Sequence, residues 1–179
     1  MSSKLKELTW ENHQKAERTN HARKLLKVMT PEEYHRYIYN QYVQYAVLEN
    51  QATQYGAMEE IEYIARAEAI KQDMEELEEQ YNIVREGSLL CPVVSEYVNY
   101  ILSLTKQDDF LAHIYVRHFG DMYGGQMISK RNPGSGKMYE FHDVEELKTK
   151  VRSRLHDAMA DEANLCFEFA MKLFEELEE

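Results

Sequence analysis

His13 and Glu17 stand four residues apart in "LTWENHQKAE", close enough on one helix face for the carboxylate to accept an imidazole N–H and fix the tautomer. A histidine held that way is a candidate metal ligand, although it is also what an ordinary surface or core histidine looks like, as His21, His35, His113, His118, His142 and His156 can each be. A second chemical stretch is "RHFGDMYGGQM", Arg117 to Met127, which sets Asp121 between Gly120 and Gly124 with Gly125 beside them. The chain has only 7 glycines, and three of them fall in a segment that otherwise reads as helix. Each costs about 0.5 to 1 kcal/mol in a helix interior, so something must offset them. On a helical wheel Arg117, Gly120, Asp121, Gly124 and Ile128 share a sector of about 100°. Close helix packing through small residues would account for the glycines. It would also bury the Asp121 carboxylate with no evident partner, which is expensive. A flat ligand lying on the backbone, with one acid in the wall, accounts for both.

Other chemistries fit poorly. "GDMYGGQ" departs from G-x-G-x-x-G and follows no strand, and "NPGSGKM" lacks the first Gly and the Ser/Thr of a P-loop. HExxH is absent, and Glu32 with His35 in "EEYH" supplies one ExxH where a dinuclear carboxylate bundle needs two. Cys91 and Cys166 are too few and too distant for a disulfide scaffold or a CxxC site, which suits a reducing compartment. A net charge of −11, from 32 acidic and 21 basic residues, disfavours nucleic acid or an anionic membrane as a general partner. No apolar run is long enough to span a bilayer, and "MSSKLKELTWENH" has no signal-peptide core, so a soluble, cytoplasmic protein is expected.

The elements that would position these groups are helices. A length of 179 residues suits one domain, residues 1–179, and few prolines and glycines with long charged segments point to an all-α fold. One helix is expected over Ser3–Val28. Thr30, Pro31 and Glu33 combine a capping-box pair with proline at the first helical position, opening a helix whose tyrosines at 34, 37, 39, 42 and 45 must in part share a buried face. Helices are expected around Met58–Tyr81, Pro92–Leu104 and Asp109–Ser129, then a loop in "KRNPGSGKMYE". Asp143 with Glu146 reads as the cap of a last helix running toward "LFEELEE". If the first helix is continuous, Lys6 lies two turns before His13 on nearly the same bearing. Lys148 and Arg152, four apart, share a face of the last.

The sequence resembles heme oxygenase. "LKELTWENHQKAE" is similar to that family's proximal helix and "YVRHFGDMYGGQM" to its distal helix, usually close to GDLSGGQ. "YVQYAVLEN", "AIKQDMEEL", "PVVSEYV", "LKTKVRSRL" and "LFEELEE" extend the likeness in order along nearly the whole chain. The resemblance implies a single-domain helical bundle with heme between the two helices, His13 as iron ligand and Glu17 supporting it. It implies that Gly120, Gly124 and Gly125 form the distal wall, that Asp121 orders water near the oxygen site, and that Arg117 and Tyr45 support that water. Lys6, Tyr115, Lys148 and Arg152 match positions that hold the heme propionates. Tyr123 stands where the family usually has a small Ser, which puts the local packing in question. The implied activity uses O2 and electrons from a ferredoxin or flavin reductase to cut heme at the α-meso carbon, giving biliverdin, CO and Fe2+. The membrane-anchoring tail of animal members has no counterpart. Alternatives are a heme carrier or sensor on the same scaffold without turnover, a helical thiaminase-like enzyme, and a helical interaction protein that binds no heme.

Overall fold

The computed structural model describes residues 3–179. Its helices are α1 (Leu5–Leu8), α2 (Trp10–Glu17), α3 (Asn20–Lys27), α4 (Pro31–Gln54), α5 (Ala67–Tyr81), α6 (Pro92–Ser103), α7 (Gln107–Arg131), α8 (Val144–Arg152) and α9 (Ala160–Leu177). No strand occurs among the described residues, so the fold is all-α. The long helices α4, α7 and α9 carry the frame. α4 packs on α5, α6 and α7, and α9 receives α2, α3, α6 and α7.

α4 begins where its cap dictates. The Thr30 hydroxyl accepts from the Glu33 N–H at 3.1 Å, and the Glu33 carboxylate accepts from the Thr30 N–H at 3.2 Å. Of its tyrosines, Tyr34, Tyr37 and Tyr45 are buried, while Tyr39 and Tyr42 pack at the margin. α5 starts later than the periodicity suggests. Glu60 has φ +67°, a 3-10 turn covers Glu62–Ile64, and the Glu49 carboxylate of α4 accepts from the Arg66 and Ala67 N–H groups at 2.7 and 2.9 Å. A side chain of α4 thus sets the first turn of α5, which no local signal in Met58–Arg66 announces.

The expected single helix over Ser3–Val28 is three helices. Thr9 leaves the helical region at φ −109°, ψ 1°, and its hydroxyl donates to the Leu5 carbonyl at 2.9 Å. Thr19 is extended at φ −66°, ψ 152°, and its hydroxyl caps α3 by accepting from the Ala22 N–H at 3.2 Å. The bearing that linked Lys6 to His13 assumed an unbroken helix and fails at Thr9. The last helix is also interrupted. Asp143 adopts φ +49° and makes no side-chain cap. After α8, tight turns bond Arg154 N–H to Val151 O and Leu155 N–H to Arg152 O, and His156 is extended before α9 begins.

The segment between α7 and α8 folds back as a 3-10 turn, Lys137–Tyr139, whose Lys137 and Met138 N–H groups are held by Asp73 at 2.9 and 3.0 Å. It drives the Tyr139 ring against α7. A Cβ built on Gly125 would meet Tyr139 Cγ at 2.7 Å, whereas one on Gly120 or Gly124 meets nothing within 4 Å. Close packing therefore explains Gly125, which needs no ligand to account for it, and does not explain the other two. Gly125→Ala should destabilise the ligand-free protein by about 1 to 3 kcal/mol through overpacking. Gly124→Ala should instead raise its stability by up to about 1 kcal/mol, the helix-propensity difference. Urea unfolding of the two apoproteins decides this, and equal effects would contradict the assignment.

Candidate functional site

On α7 the glycine face is open: Gly120 is exposed, Gly124 half-buried, and neither has a neighbour where its side chain would be. Asp121, half-buried between them, accepts a 2.6 Å hydrogen bond at Oδ2 from the Tyr45 hydroxyl of α4. Tyr45 is 2% exposed and its ring lies 5.0 Å from His118. Burial pushes the Asp121 carboxyl up to about 6, against the opposing pull of His118, the Tyr45 hydrogen bond, Arg117 and Arg66. Burial and the Asp121 charge both hold the Tyr45 phenol far above its ordinary range, so it stays a donor. The result is an acid that exchanges its proton near neutrality beside a bare strip of helix backbone.

Arg117 supports this strip from the buried side. Its guanidinium donates to the Tyr97 hydroxyl at 3.0 Å and to Gln44 Oε1 at 2.9 Å, and lies 4.3 Å from the Tyr97 ring centroid. The network continues from the Tyr97 hydroxyl to His113 Nδ1 at 2.7 Å and from His113 Nε2 to Glu162 at 2.7 Å. His118 Nε2 meets Glu49 Oε2 at 2.7 Å, and its Nδ1 faces the Ile114 carbonyl at 3.2 Å. Gln41, Gln44, Glu49, Tyr97, His113 and His118 were not anticipated as part of the site. Their one signal in sequence is on α4, where Tyr37, Gln41, Gln44, Tyr45 and Glu49 form a polar stripe at helical spacing on a face that is otherwise core.

His13 sits on α2 against α9, which is fixed there by Asn12 Nδ2 donating to Asn164 Oδ1 at 3.1 Å. The imidazole is 40% exposed, with Trp10 stacked on it at 5.2 Å and Phe167 edge-on at 5.9 Å. Its Nε2 lies 3.4 Å from Glu17 Oε1, while its buried Nδ1 has no partner. Nε2 thus faces a carboxylate, while Nδ1 is buried and lacks a hydrogen-bond partner among the described residues. His21 differs. It is 3% exposed, bonded to Glu178 at 2.9 Å and packed against Tyr37 and Phe174 at 5.3 and 5.2 Å.

The predicted cations of α8 lie along the edge of α7. Lys148 Nζ is 4.2 Å from the Tyr123 ring centroid, Arg152 donates to the Tyr123 hydroxyl, and the Arg152 guanidinium is 5.6 Å from Phe119. Tyr115 packs tilted against Phe119 with ring centroids 5.1 Å apart, and its phenol is raised by burial, with Arg152 pulling the other way. Lys6 is exposed on α1, a helix separate from that of His13.

The raised Asp121 carboxyl has a consequence for stability. Between its ordinary value of 3.8 and about 6 the folded chain keeps a proton that the unfolded chain has released, so this group's contribution falls as pH rises through that window and levels off above it. Asp121→Asn removes that cost. The variant should gain on the wild type as pH climbs from about 4 to 6, with a constant difference at higher pH. Urea unfolding across that range measures it, and a pH-independent difference would show an unshifted carboxyl.

Comparison with known proteins agrees with this architecture. The family model described as heme oxygenase matches residues 1–176. Heme oxygenase 1 of Nostoc sp. is 30% identical over 99% of this chain and 86% of its own length. Heme oxygenase 2 of Macaca fascicularis is 27% identical over 100% of this chain and 66% of its own. Among solved structures, Leptospira interrogans heme oxygenase superposes with a TM-score of 0.83 at 22% identity, covering 97% of both chains. Heme oxygenase-1 of Synechocystis sp., solved in complex with heme, superposes with a TM-score of 0.81 at 24% identity over 98% of this chain and 90% of the other. No helix among the described residues is long and apolar enough to cross a membrane. With a family model spanning all but the last three residues, on top of the shared helical architecture, the chain belongs to the heme oxygenase family.

Proposed function

We propose that the protein degrades heme at the α-meso carbon, releasing biliverdin, CO and Fe2+, with O2 as oxidant and electrons from a ferredoxin or flavin reductase. The observation that carries this is the open face of α7, where Gly120 and Gly124 front empty space beside an acid tuned to about 6. Two features fit a heme group: that backbone strip, which a flat ring can approach closely, and the unpartnered Nδ1 of a half-exposed His13. When bound, heme supplies both the iron that engages O2 and the ring that is cut.

The chain's residues then divide the work. His13, steadied by Glu17, would be the single protein ligand to the heme iron. Gly120 and Gly124 let α7 lie close on the distal side and exclude bulk water there. Tyr45 holds Asp121 through Oδ2, leaving Oδ1 to orient a water and exchange a proton with it, and a carboxyl near 6 can perform both acts at physiological pH. Arg117 keeps the α7 backbone in place beneath. Lys148, Arg152, Tyr115 and Lys6 are the candidates for holding the propionates at the ring edge. Gly125 belongs to the same wall in sequence, but its missing side chain serves Tyr139.

Aerobic turnover with hemin and an electron donor tests the whole assignment. A spectral progression to biliverdin supports it, and an unchanged Soret band would identify a carrier or sensor instead. His13→Ala should lose the wild-type ferric hemin spectrum and most turnover, with added imidazole restoring part of each; the same phenotype from His21→Ala, with His13→Ala normal, would overturn the ligand assignment. The wild type should yield the α isomer of biliverdin. Replacing Lys148 and Arg152 together should yield a mixture of isomers at near-normal overall rate, because about 1.4 kcal/mol between two seatings of the ring is already tenfold in their ratio. Chromatography of the product isomers reads the result, and a double variant giving only the α isomer would leave the close approach of α7 as sole director.

A further inference from the structure

Tyr123 is a large side chain in the glycine-rich stretch, at a position where the resemblance implies a small Ser, and it is 60% exposed, so core packing does not explain its size. Its contacts do. On α7, Tyr115, Phe119 and Tyr123 recur every four residues as an aromatic row, with successive ring centroids 5.1 and 6.2 Å apart, one residue out of phase with Gly120 and Gly124. Along this row lie the two cations of α8: Lys148 over the Tyr123 ring at 4.2 Å, and Arg152 over Phe119 at 5.6 Å while donating to the Tyr123 hydroxyl. A single side chain therefore ties both candidate propionate-binding cations to the helix that walls the site.

The form of these contacts matters. Lys148 meets Tyr123 through the ring face, which leaves its three N–H donors unspent. Arg152 spends one of five donors on the phenol oxygen. Neither cation is neutralised there. Among the described residues the only carboxylate within 4 Å of Lys148 Nζ is Glu145 at 3.7 Å, at the outer edge of an ion pair and 90% exposed. Both cations thus keep their charge and hydrogen-bonding capacity for an incoming pair of carboxylates, while their positions are referred to α7 rather than left to two long, freely rotating stems.

We propose that Tyr123 is a specificity-determining positioning residue: it pins Lys148 and Arg152 to the distal helix and so selects the in-plane seating of heme, and with it the meso carbon that is cut. This rests on the heme-degrading function proposed above. A small residue at 123 would leave the charges present but unlocated, so heme would still bind while its rotation about the iron–histidine axis became less restricted.

The test uses the full chain reconstituted with ferric hemin, as wild type, Tyr123→Phe and Tyr123→Ser. Heme-methyl proton resonances of the cyanide complex count the seatings without turnover, and biliverdin isomers from aerobic turnover count the cleavage sites. The wild type should show one dominant seating. Tyr123→Ser should shift the seating ratio about tenfold toward the minor form, with the isomer ratio following it, while hemin affinity changes by no more than a few-fold. Tyr123→Phe keeps the ring beneath Lys148 and loses only the hydroxyl on Arg152, so its ratio should fall between the two. An unchanged seating ratio in a Tyr123→Ser protein that melts like the wild type overturns the proposal; if that variant does not fold, an unchanged ratio in Tyr123→Phe does so. A wild type that binds hemin but makes no biliverdin refutes the enzymatic function while leaving the seating test readable. A wild type with no Soret band refutes heme binding and the Tyr123 proposal together.

Discussion

The hydrogen bond from the Tyr45 hydroxyl to Asp121, 2.6 Å long, ties the two longest helices together at the point where α7 is barest. An acid flanked by open glycine backbone has little side-chain packing to orient it. It would swing toward water unless held, and the holder must itself be immobile. Tyr45 meets that condition because it is 2% exposed and its ring packs on His118. His118 in turn is locked by Glu49, whose carboxylate also sets the first turn of α5. The orientation of one carboxylate is thus inherited from the packing of α4, α5 and α7, and burying it there is what raises its proton affinity.

The same helix solves two problems with one residue type. Gly125 lets Tyr139 come against α7, which closes the core beneath, whereas Gly120 and Gly124 leave the opposite side vacant. The side chains needed to hold α7 in place are displaced to its buried faces, where Arg117 is gripped by Tyr97 and Gln44 and His113 by Tyr97 and Glu162. These buried polar groups are costly unless satisfied, and here each has a partner at 2.7 to 3.0 Å. A helix with one unpacked face is thus held from its buried faces.

Charge is distributed with similar economy. The chain is strongly acidic, yet Lys148 and Arg152 lie along an aromatic row, and the carboxylate beside Lys148 is the exposed Glu145 at 3.7 Å. Cation–π contact holds a charge without cancelling it. An acidic protein can in this way keep a local basic edge available to an anionic ligand.

Much of this was legible without coordinates, for local reasons. The capping box at Thr30, the proline-led α6, the long α7 and the all-α class depend on short-range signals that tertiary contacts did not overrule; His13 with Glu17 stood out by its spacing, and Asp121 with its glycines because those residue types conflict with an ordinary helix. What sequence could not determine was in part a choice between local contacts and in part a contact from farther along the chain. Thr9 and Thr19 turn from helical residues into breaks, and the start of α5 waits on a carboxylate 17 residues upstream, so both boundaries were misjudged and the bearing of Lys6 with them. Gly120, Gly124 and Gly125 look equivalent as letters. Only the folded chain distinguishes them, because the space beside a backbone is decided by whatever the rest of the fold brings to it, and here Tyr139 was brought to one glycine and nothing to the other two.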